Sequence, residues 1–395
     1  MAATAPFIVP PLKDLCVKEV AANFEASPNF GPLPDKYVKK VVDILPIDLP
    51  LELAGSTIAD EDYWRRRCCS RWSNLEVTAH ASSWKQLYFE RNLEDVLEQY
   101  DPAVNALEDM RRLMMYSRRF AQTIRLRQLP SHLDLAIMFD AMINSPSSLA
   151  VQYSLKNVGM EYDRSLFGMK LADCRALAKC LEKTETLTYL DLSNNGLDDD
   201  KVRMLASGLV ENVSITHLNL AHNKIADRGV RALAKLLDAK SVIGILELQD
   251  NHVHTEGAKA LARSLKSNVA LLSLNLRLNR MGDDGVRVVA DSLRASRSIQ
   301  RLNVSSNSAG PEAAQSLAAL VRVSPTITEL DASVNPSFGQ EGVAALRRAV
   351  EQNMSLVRVD VRQCGGSADE ELAIAENLRA RQERRDRAKA LDRGQ

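Results

Sequence analysis

Cysteine is scarce in this 395-residue chain: six residues, at 16, 68, 69, 174, 180 and 364, without regular spacing. That scarcity excludes a disulfide scaffold and suits a reducing compartment. An excess of charge is also missing. Lys and Arg number 51 and Asp and Glu number 51, so no general attraction to nucleic acid or to an anionic membrane is expected, although local patches remain open. No apolar run approaches the length of a membrane-spanning helix, so no membrane association is expected. The opening MAATAPFIVPPLKDLC has no basic region followed by a long apolar run and does not read as a signal peptide.

Catalytic motifs are absent as well. There is no G-x-x-x-x-G-K-[ST] loop, no H-E-x-x-H helix, no G-x-S-x-G and no G-x-G-x-x-G after a strand. Asp198–Asp200 stand just before a helical stretch, where acids complement the helix N-terminus, and they lack the alternating oxygen ligands calcium needs. His252 and His254 flank a core-directed Val253 without a further metal ligand. Cys68 and Cys69 are adjacent, and Cys174 and Cys180 are six apart. Neither pair has ligand spacing, and no base is placed to activate a thiol. No enzyme activity, metal or cofactor is expected.

What the chain does have is a repeat. Asn195, Asn223, Asn251, Asn279, Asn307 and Asn335 recur every 28 residues. Five before each stand Leu190, Leu218, Leu246, Leu274, Leu302 and Leu330; three before stand Leu192, Leu220, Leu248, Leu276, Val304 and Ala332. This is L-x-x-L-x-L-x-x-N, the leucine-rich repeat. Leu205, Leu233, Leu261, Val289 and Leu317, ten past the first five markers, and an Ala after each give the second half one apolar helical face. Gly229, Gly257 and Gly285 fall at the turn into three of these helices. A one-residue insertion then shifts the phase, and Cys364 takes the marker position 29 after Asn335. Upstream, TIRLRQL and SLAVQYSL read as strands of two irregular units, with LDLAIMFDAMI as the helix between them.

The expected fold is α/β: a curved solenoid of 28-residue strand–helix units with parallel strands on the concave face, preceded by a mainly helical capping domain. The domains are residues 1–34 (helix and linker), 35–119 (helical domain), 120–366 (repeats) and 367–395 (C-terminal helix and charged tail). The tail's first half can cap the last repeat through Leu372, Ile374 and Leu378. The marker Asn residues, and Cys364 in their place, are structural, tying each turn to itself and its neighbour. Four before the marker, Asp191, Glu247, Asp331 and Asp360 share a stripe with Asn219, Asn275 and Asn303. The stripe is either a seat for a partner's basic groups or merely a solvated face.

The 35–119 segment holds all three tryptophans, Trp64, Trp72 and Trp84, which are expected to anchor its core. YWRRRCCSRW adds Arg65, Arg66, Arg67 and Arg71, expected to face outward in part and meet a partner. Simple folding of a cap and nucleic-acid binding are the other readings, the latter without a further basic stripe to support it.

Two strings carry a resemblance. LPLELAGSTIADEDYWRRRCCSRW, followed by HASSWKQLYFERNLEDVLE and leading into irregular repeats, resembles the dynein regulatory complex subunit 5 family, also called T-complex-associated testis-expressed proteins. It covers roughly residues 10–366. The resemblance implies a non-catalytic scaffold in the axoneme of motile cilia and flagella, within the cytoplasmic cytoskeleton. There the nexin–dynein regulatory complex links neighbouring doublet microtubules and adjusts dynein-driven motility. It also implies contacts with other subunits of that complex, coiled-coil proteins among them, and with doublet microtubules directly or indirectly. It supplies no catalytic residues and does not fix the partner-facing ones. Two other classes stay open: a soluble leucine-rich repeat inhibitor, and an F-box-like substrate adaptor, since LPLELA…YWRRRC is loosely reminiscent of an F-box before leucine-rich repeats.

Overall fold

The computed structural model describes residues 11–130, 133–143, 145–154 and 167–393, with side chains as far as 383. The chain forms two compact units, one ending at Ile124 and the other beginning at Arg125.

The first unit is helical: α1 (Leu12–Ala22), α2 (Asp35–Ile44), α3 (Leu51–Thr57), α4 (Glu61–Arg71), α5 (Trp84–Glu98) and α6 (Leu107–Ser117). Pro11, Pro34 and Pro50 immediately precede the first three, where a fixed φ and a missing N–H cost nothing. Asp60 and Ser83 cap α4 and α5 by accepting from the amides of Tyr63 and Gln86. Phe24, Val41, Trp64, Leu87 and Phe89 form one core with essentially no exposure. Phe30, in the stretch read as a linker, packs on it with its ring 4.9 Å from that of Phe24. Inside this unit lies a buried carboxylate. Glu90 accepts from Gln86 Nε2 at 2.9 Å and from the amides of Gln122 and Thr123 at 2.7 and 2.6 Å, and also meets His80 Nδ1.

The second unit is a strand–helix solenoid. Among the described residues its strands form one nine-stranded sheet in chain order. They are β1 (Thr123–Leu129), β2 (Ser148–Tyr153), β3 (Tyr189–Asp191), β4 (His217–Asn219), β5 (Ile245–Glu247), β6 (Ser273–Asn275), β7 (Arg301–Asn303), β8 (Glu329–Asp331) and β9 (Arg358–Asp360). From β2 onward every pairing is parallel, and Leu190, Leu218, Leu246, Leu274, Leu302, Leu330 and Val359 stand in register. Between strands run α7 (Leu135–Ala141), α8 (Leu171–Lys183), α9 (Asp199–Leu209), α10 (Asp227–Ala234), α11 (Thr255–Leu265), α12 (Gly282–Leu293), α13 (Pro311–Val323) and α14 (Gly339–Gln352), with α15 (Ala368–Arg393) after the last strand. The repeated leucines are buried, each contributing about 1.5–3 kcal/mol. In α15, Ile374 is buried but Leu372 is 57% exposed, so Leu372 does not share the capping role expected of it; two residues apart, they lie on roughly opposite faces of the helix.

Three polar ladders join successive repeats of the solenoid. The first is the marker ladder. Asn251 Nδ2 donates to the carbonyls of Leu248 and Gln249 in its own strand and of Leu220 in the preceding one, and its Oδ1 accepts from the amide of Ile225 at 3.0 Å. Asn223, Asn279, Asn307 and Asn335 repeat this arrangement. Asn195 extends it into the irregular repeats, donating to Val151 and accepting from the amide of Tyr153. Cys364 closes it with one donor, its thiol 3.1 Å from the carbonyl of Ala332, and burial pushes that thiol's pKa up to about 11.

On the helix side, Asp227 Oδ1 accepts from the amides of His254 and Gly257 at 2.8 and 2.9 Å, so an acid in one helix caps the next. Asp199 and Asp283 do the same one repeat on. This explains Gly229 and Gly257: a Cβ there would stand 2.7 and 2.6 Å from the crossing carboxylate. Where helix returns to strand, Asn212 donates to the carbonyls of Leu181 and Thr184 in the preceding unit and accepts from the amides of Ser214 and Ile215. Asn268 and Asn353 are its equivalents.

The residue before each marker turns through the left-handed region: Asn194, His222, Asp250, Leu278, Ser306, Val334 and Gln363 have φ between 53° and 58°. Asn and Asp tolerate this; a β-branched residue is strained there, by about 1–2 kcal/mol. Val334 is 43% exposed, so its side chain recovers little by burial. Val334→Asn is expected to stabilise the protein by about 1 kcal/mol, read as a higher midpoint in urea with an unchanged slope. A lower midpoint would show that Val334 packs usefully.

Candidate protein-binding faces

Every second residue of each strand points away from the core, giving the open sheet face three columns. The middle column holds the predicted acids, and the structure gives each a hydrogen-bonded neighbour. Asp191 accepts from Asn219 at 2.9 Å and from the Tyr189 hydroxyl at 3.2 Å. Glu247 accepts from Asn275 at 2.8 Å, and Asp331 from Asn303 at 3.0 Å. Asp360 is held by Arg362, Nη2 to Oδ2 at 2.5 Å, and this guanidinium keeps its carboxyl below the usual carboxylate range. Asp331 and Asp360 pair across adjacent strands; Asp191 lies far from them along the sheet.

The outer column was not singled out in the sequence, although it keeps the same phase. It runs Tyr189, His217, Ile245, Ser273, Arg301, Glu329, Arg358. Its first half is aromatic and apolar. The Tyr189 and His217 rings meet edge to face at 4.4 Å, and burial holds the His217 pKa below its ordinary value. Its second half is charged. Arg301, Glu329 and Arg358 border a groove of about 290 Å³ together with Glu247 and Asp331. The face is therefore acidic beside aromatic groups at one end and of mixed charge at the other, with Arg277 and Arg362 in the third column.

The basic string of the first unit resolves differently. Trp64 is fully buried, its ring 5.4–5.5 Å from those of Tyr63, Tyr88 and Phe89, and its Nε1 donates to the carbonyl of Ile58. Trp72 and Trp84 are only half-buried at the margin of the core. Arg67, expected to face outward in part, is 7% exposed. It donates to the Leu49 carbonyl at 2.8 Å and the Tyr63 hydroxyl at 3.3 Å, and lies 4.8 Å from the Tyr88 ring. It is a core arginine because helical spacing puts it on the same face of α4 as Trp64 and Cys68. Arg66 is partly committed to the carbonyl of Val42, and Arg71 to Asn92 and Asp95. Arg65 is exposed.

Elsewhere, burial pushes the Cys68 thiol up to about 12, which leaves it unreactive. Asp198 and Asp199 cap helices, and Asp200 pairs with Arg203. Among the described residues no group of three or more His, Cys, Asp or Glu could hold a metal ion, and no helix is long and apolar enough to cross a membrane.

The family described as Leucine Rich repeat matches residues 185–206, 211–234, 245–262 and 267–290. Dynein regulatory complex subunit 5 of Chlamydomonas reinhardtii is 72% identical over 200 residues, 51% of this chain and 51% of that protein. Over about half its length this chain is similar to dynein regulatory complex subunit 5, and its repeats are similar to the leucine-rich repeat. The Mus musculus protein of the same name is 31% identical over 224 residues, 50% of this chain and 45% of that one. The chain thus spans about half the length of the curated relatives it matches. Among solved structures, leiomodin-1 actin-binding site 2 aligns with 58% of this chain and all of its own at 14% identity, with a TM-score of 0.29, too loose a match to carry an argument.

The burial of Trp64 and Arg67 separates folding from docking in α4. Trp64→Ala is expected to cost about 3–5 kcal/mol, and Arg67→Ala about 2–3 kcal/mol through the unpaired carbonyl and lost ring contacts. Arg65→Ala should change stability by less than about 0.5 kcal/mol. Urea titrations of the three variants check this; an Arg65 variant as damaging as the Arg67 one would contradict the assignment.

Proposed function

We propose that this chain is a non-catalytic scaffold subunit of the nexin–dynein regulatory complex in the axoneme of motile cilia and flagella. There it helps link doublet microtubules and regulate dynein-driven motility. The observation that carries the reading is the 72% identity over 200 residues to a protein named for that complex. A sheet face whose polar columns are held in place by their neighbours supports it, since a scaffold needs a preformed surface rather than a reactive pocket. The partners are other subunits of the complex, coiled-coil proteins among them.

Within that role, the open sheet face receives a segment of alternating charge. Its bases lie toward Asp191 and Glu247, beside Tyr189 and His217. Its acids lie toward Arg277, Arg301 and Arg358. Asp331 and Asp360 border the same seat, with Asp360 already matched by Arg362. Arg65 and the exposed edge of Arg71 form a second contact on the first unit.

Fractionation tests the reading. The tagged protein is expected to stay with detergent-extracted axonemes and to leave only at high salt, as a charged contact should. Asp191→Lys with Glu247→Lys should cut retention at least tenfold while shifting stability by no more than about 1 kcal/mol, the scale of one hydrogen bond. Complete release by detergent alone would refute the scaffold reading. Normal retention of the double variant would remove only the sheet-face contact.

A further inference from the structure

The last carbonyls of a helix need donors. At three junctions the following unit supplies them through an Asn: Asn212 to Leu181 and Thr184, Asn268 to Leu237 and Asp238, and Asn353 to Val321 and Ser324. Past α14 this Asn does not recur, and a different group takes over. Arg381 of α15 donates to the carbonyls of Val350 and Asn353, and to that of Glu351 at 2.9 Å. Val350 and Asn353 occupy the same places in their repeat as Leu181 and Thr184 do in theirs, fourteen and eleven residues before the next marker. An arginine on a packed helix is therefore an accepted substitute for the Asn in this solenoid.

Three junctions have neither. At two of them Ser296 and Ser324 stand where the Asn belongs, and their hydroxyls accept from the amides of Ile299 and Ile327 instead. At the third, after α9, the following unit places Lys240 there. Its amide donates to Asp238, and among the described residues no side chain donates to the carbonyls of Leu209 or Asn212. Here α10 is only eight residues long against eleven for α9, and it ends in a tight turn over Lys235–Leu237. A notch of about 270 Å³ opens between the two helix ends. Its rim carries Val210 and Val213, 60% and 74% exposed.

We propose that this notch docks an arginine-bearing helix of a partner protein. The guanidinium takes the Leu209 and Asn212 carbonyls as Arg381 takes their equivalents, and apolar residues one turn away cover Val210 and Val213. The charge agrees: a helix C-terminus is negative, and it prefers a cation. Arginine fits better than lysine because its planar fork reaches two carbonyls at once. Lys235 and Lys240 border the notch too, with Glu211 and Asp238, and the two lysines select a partner with few bases among apolar and acidic residues rather than a basic tract.

The test needs only the purified full chain and a probe of known sequence, so its failure is distinguishable from failure of the axonemal reading. The probe is a synthetic, acetylated and amidated peptide copying residues 368–383, with a twin carrying Arg379→Gln and Arg381→Gln. Amide shifts are followed in isotope-labelled protein. The expected result is saturable shifts at Val213, Ser214 and Ser241, at least tenfold weaker with the Gln twin. Lys240→Asn restores the missing donor. It should raise the melting temperature and weaken peptide binding at least tenfold; Val213→Glu, at an exposed rim, should weaken binding without altering the melt. Saturable shifts absent from these amides, or binding indifferent to both variants, would overturn the proposal.

Discussion

A primary amide carries two donors and an acceptor on one rigid plane, and in this solenoid that plane bridges every repeat junction but the last, where Cys364 stands in its place. The turn from strand to helix leaves backbone groups facing a dry interior, where an unpaired one costs about 1–3 kcal/mol. A marker Asn answers its own strand's carbonyls and, in the same gesture, a carbonyl and an amide of the preceding unit. No unit could satisfy these groups alone. Stability is therefore a property of junctions, as expected of a one-dimensional stack.

From that constraint follows the placement of the solenoid's surfaces. Because the ladder fixes register, residues 28 apart lie side by side, and Asn219 can reach Asp191 or Asn275 reach Glu247 without searching. The sheet face is thereby preorganised, with its acids oriented before a partner arrives. The same constraint forces a left-handed turn before each marker, even at Leu278 and Val334, where the side chain resists it. The helix-side carboxylates and the return-turn Asn residues repeat the principle at two other levels. At one of the three places where the latter is missing, Lys240, a notch opens.

The repeat, its phase and its strand–helix order were legible in the sequence because they rest on period and on buried leucines. The irregular strands at 123–129 and 148–153 also lie where their apolar alternation put them. The two lesser ladders were written in the same 28-residue phase, as Asp199, Asp227 and Asp283, and as Asn212, Asn268 and Asn353. They were missed because a surface-type residue gives no hint of which neighbouring backbone it will meet. Arg67 was misjudged for a related reason. Charge suggests exposure, but a guanidinium can lie over Tyr88 while a carbonyl from 18 residues away accepts from one of its nitrogens. Glu90, the fully buried carboxylate of the first unit, had no periodic signal at all, since its partners lie in a loop and in a segment more than thirty residues on. The mixed charge of the sheet face was visible residue by residue and emerged only when adjacent columns were counted together.

The most direct test of the ladder's role is native-state hydrogen exchange at the amide of Ile225, which donates to Asn251 Oδ1 across a junction. In Asn251→Ala the account predicts that this amide, 26 residues from the substitution, loses protection along with its neighbours in the repeats on both sides. If exchange accelerates only around residue 251 while Ile225 stays as protected as in the unaltered protein, the units are held by leucine packing alone, and the amide ladder is not what joins them.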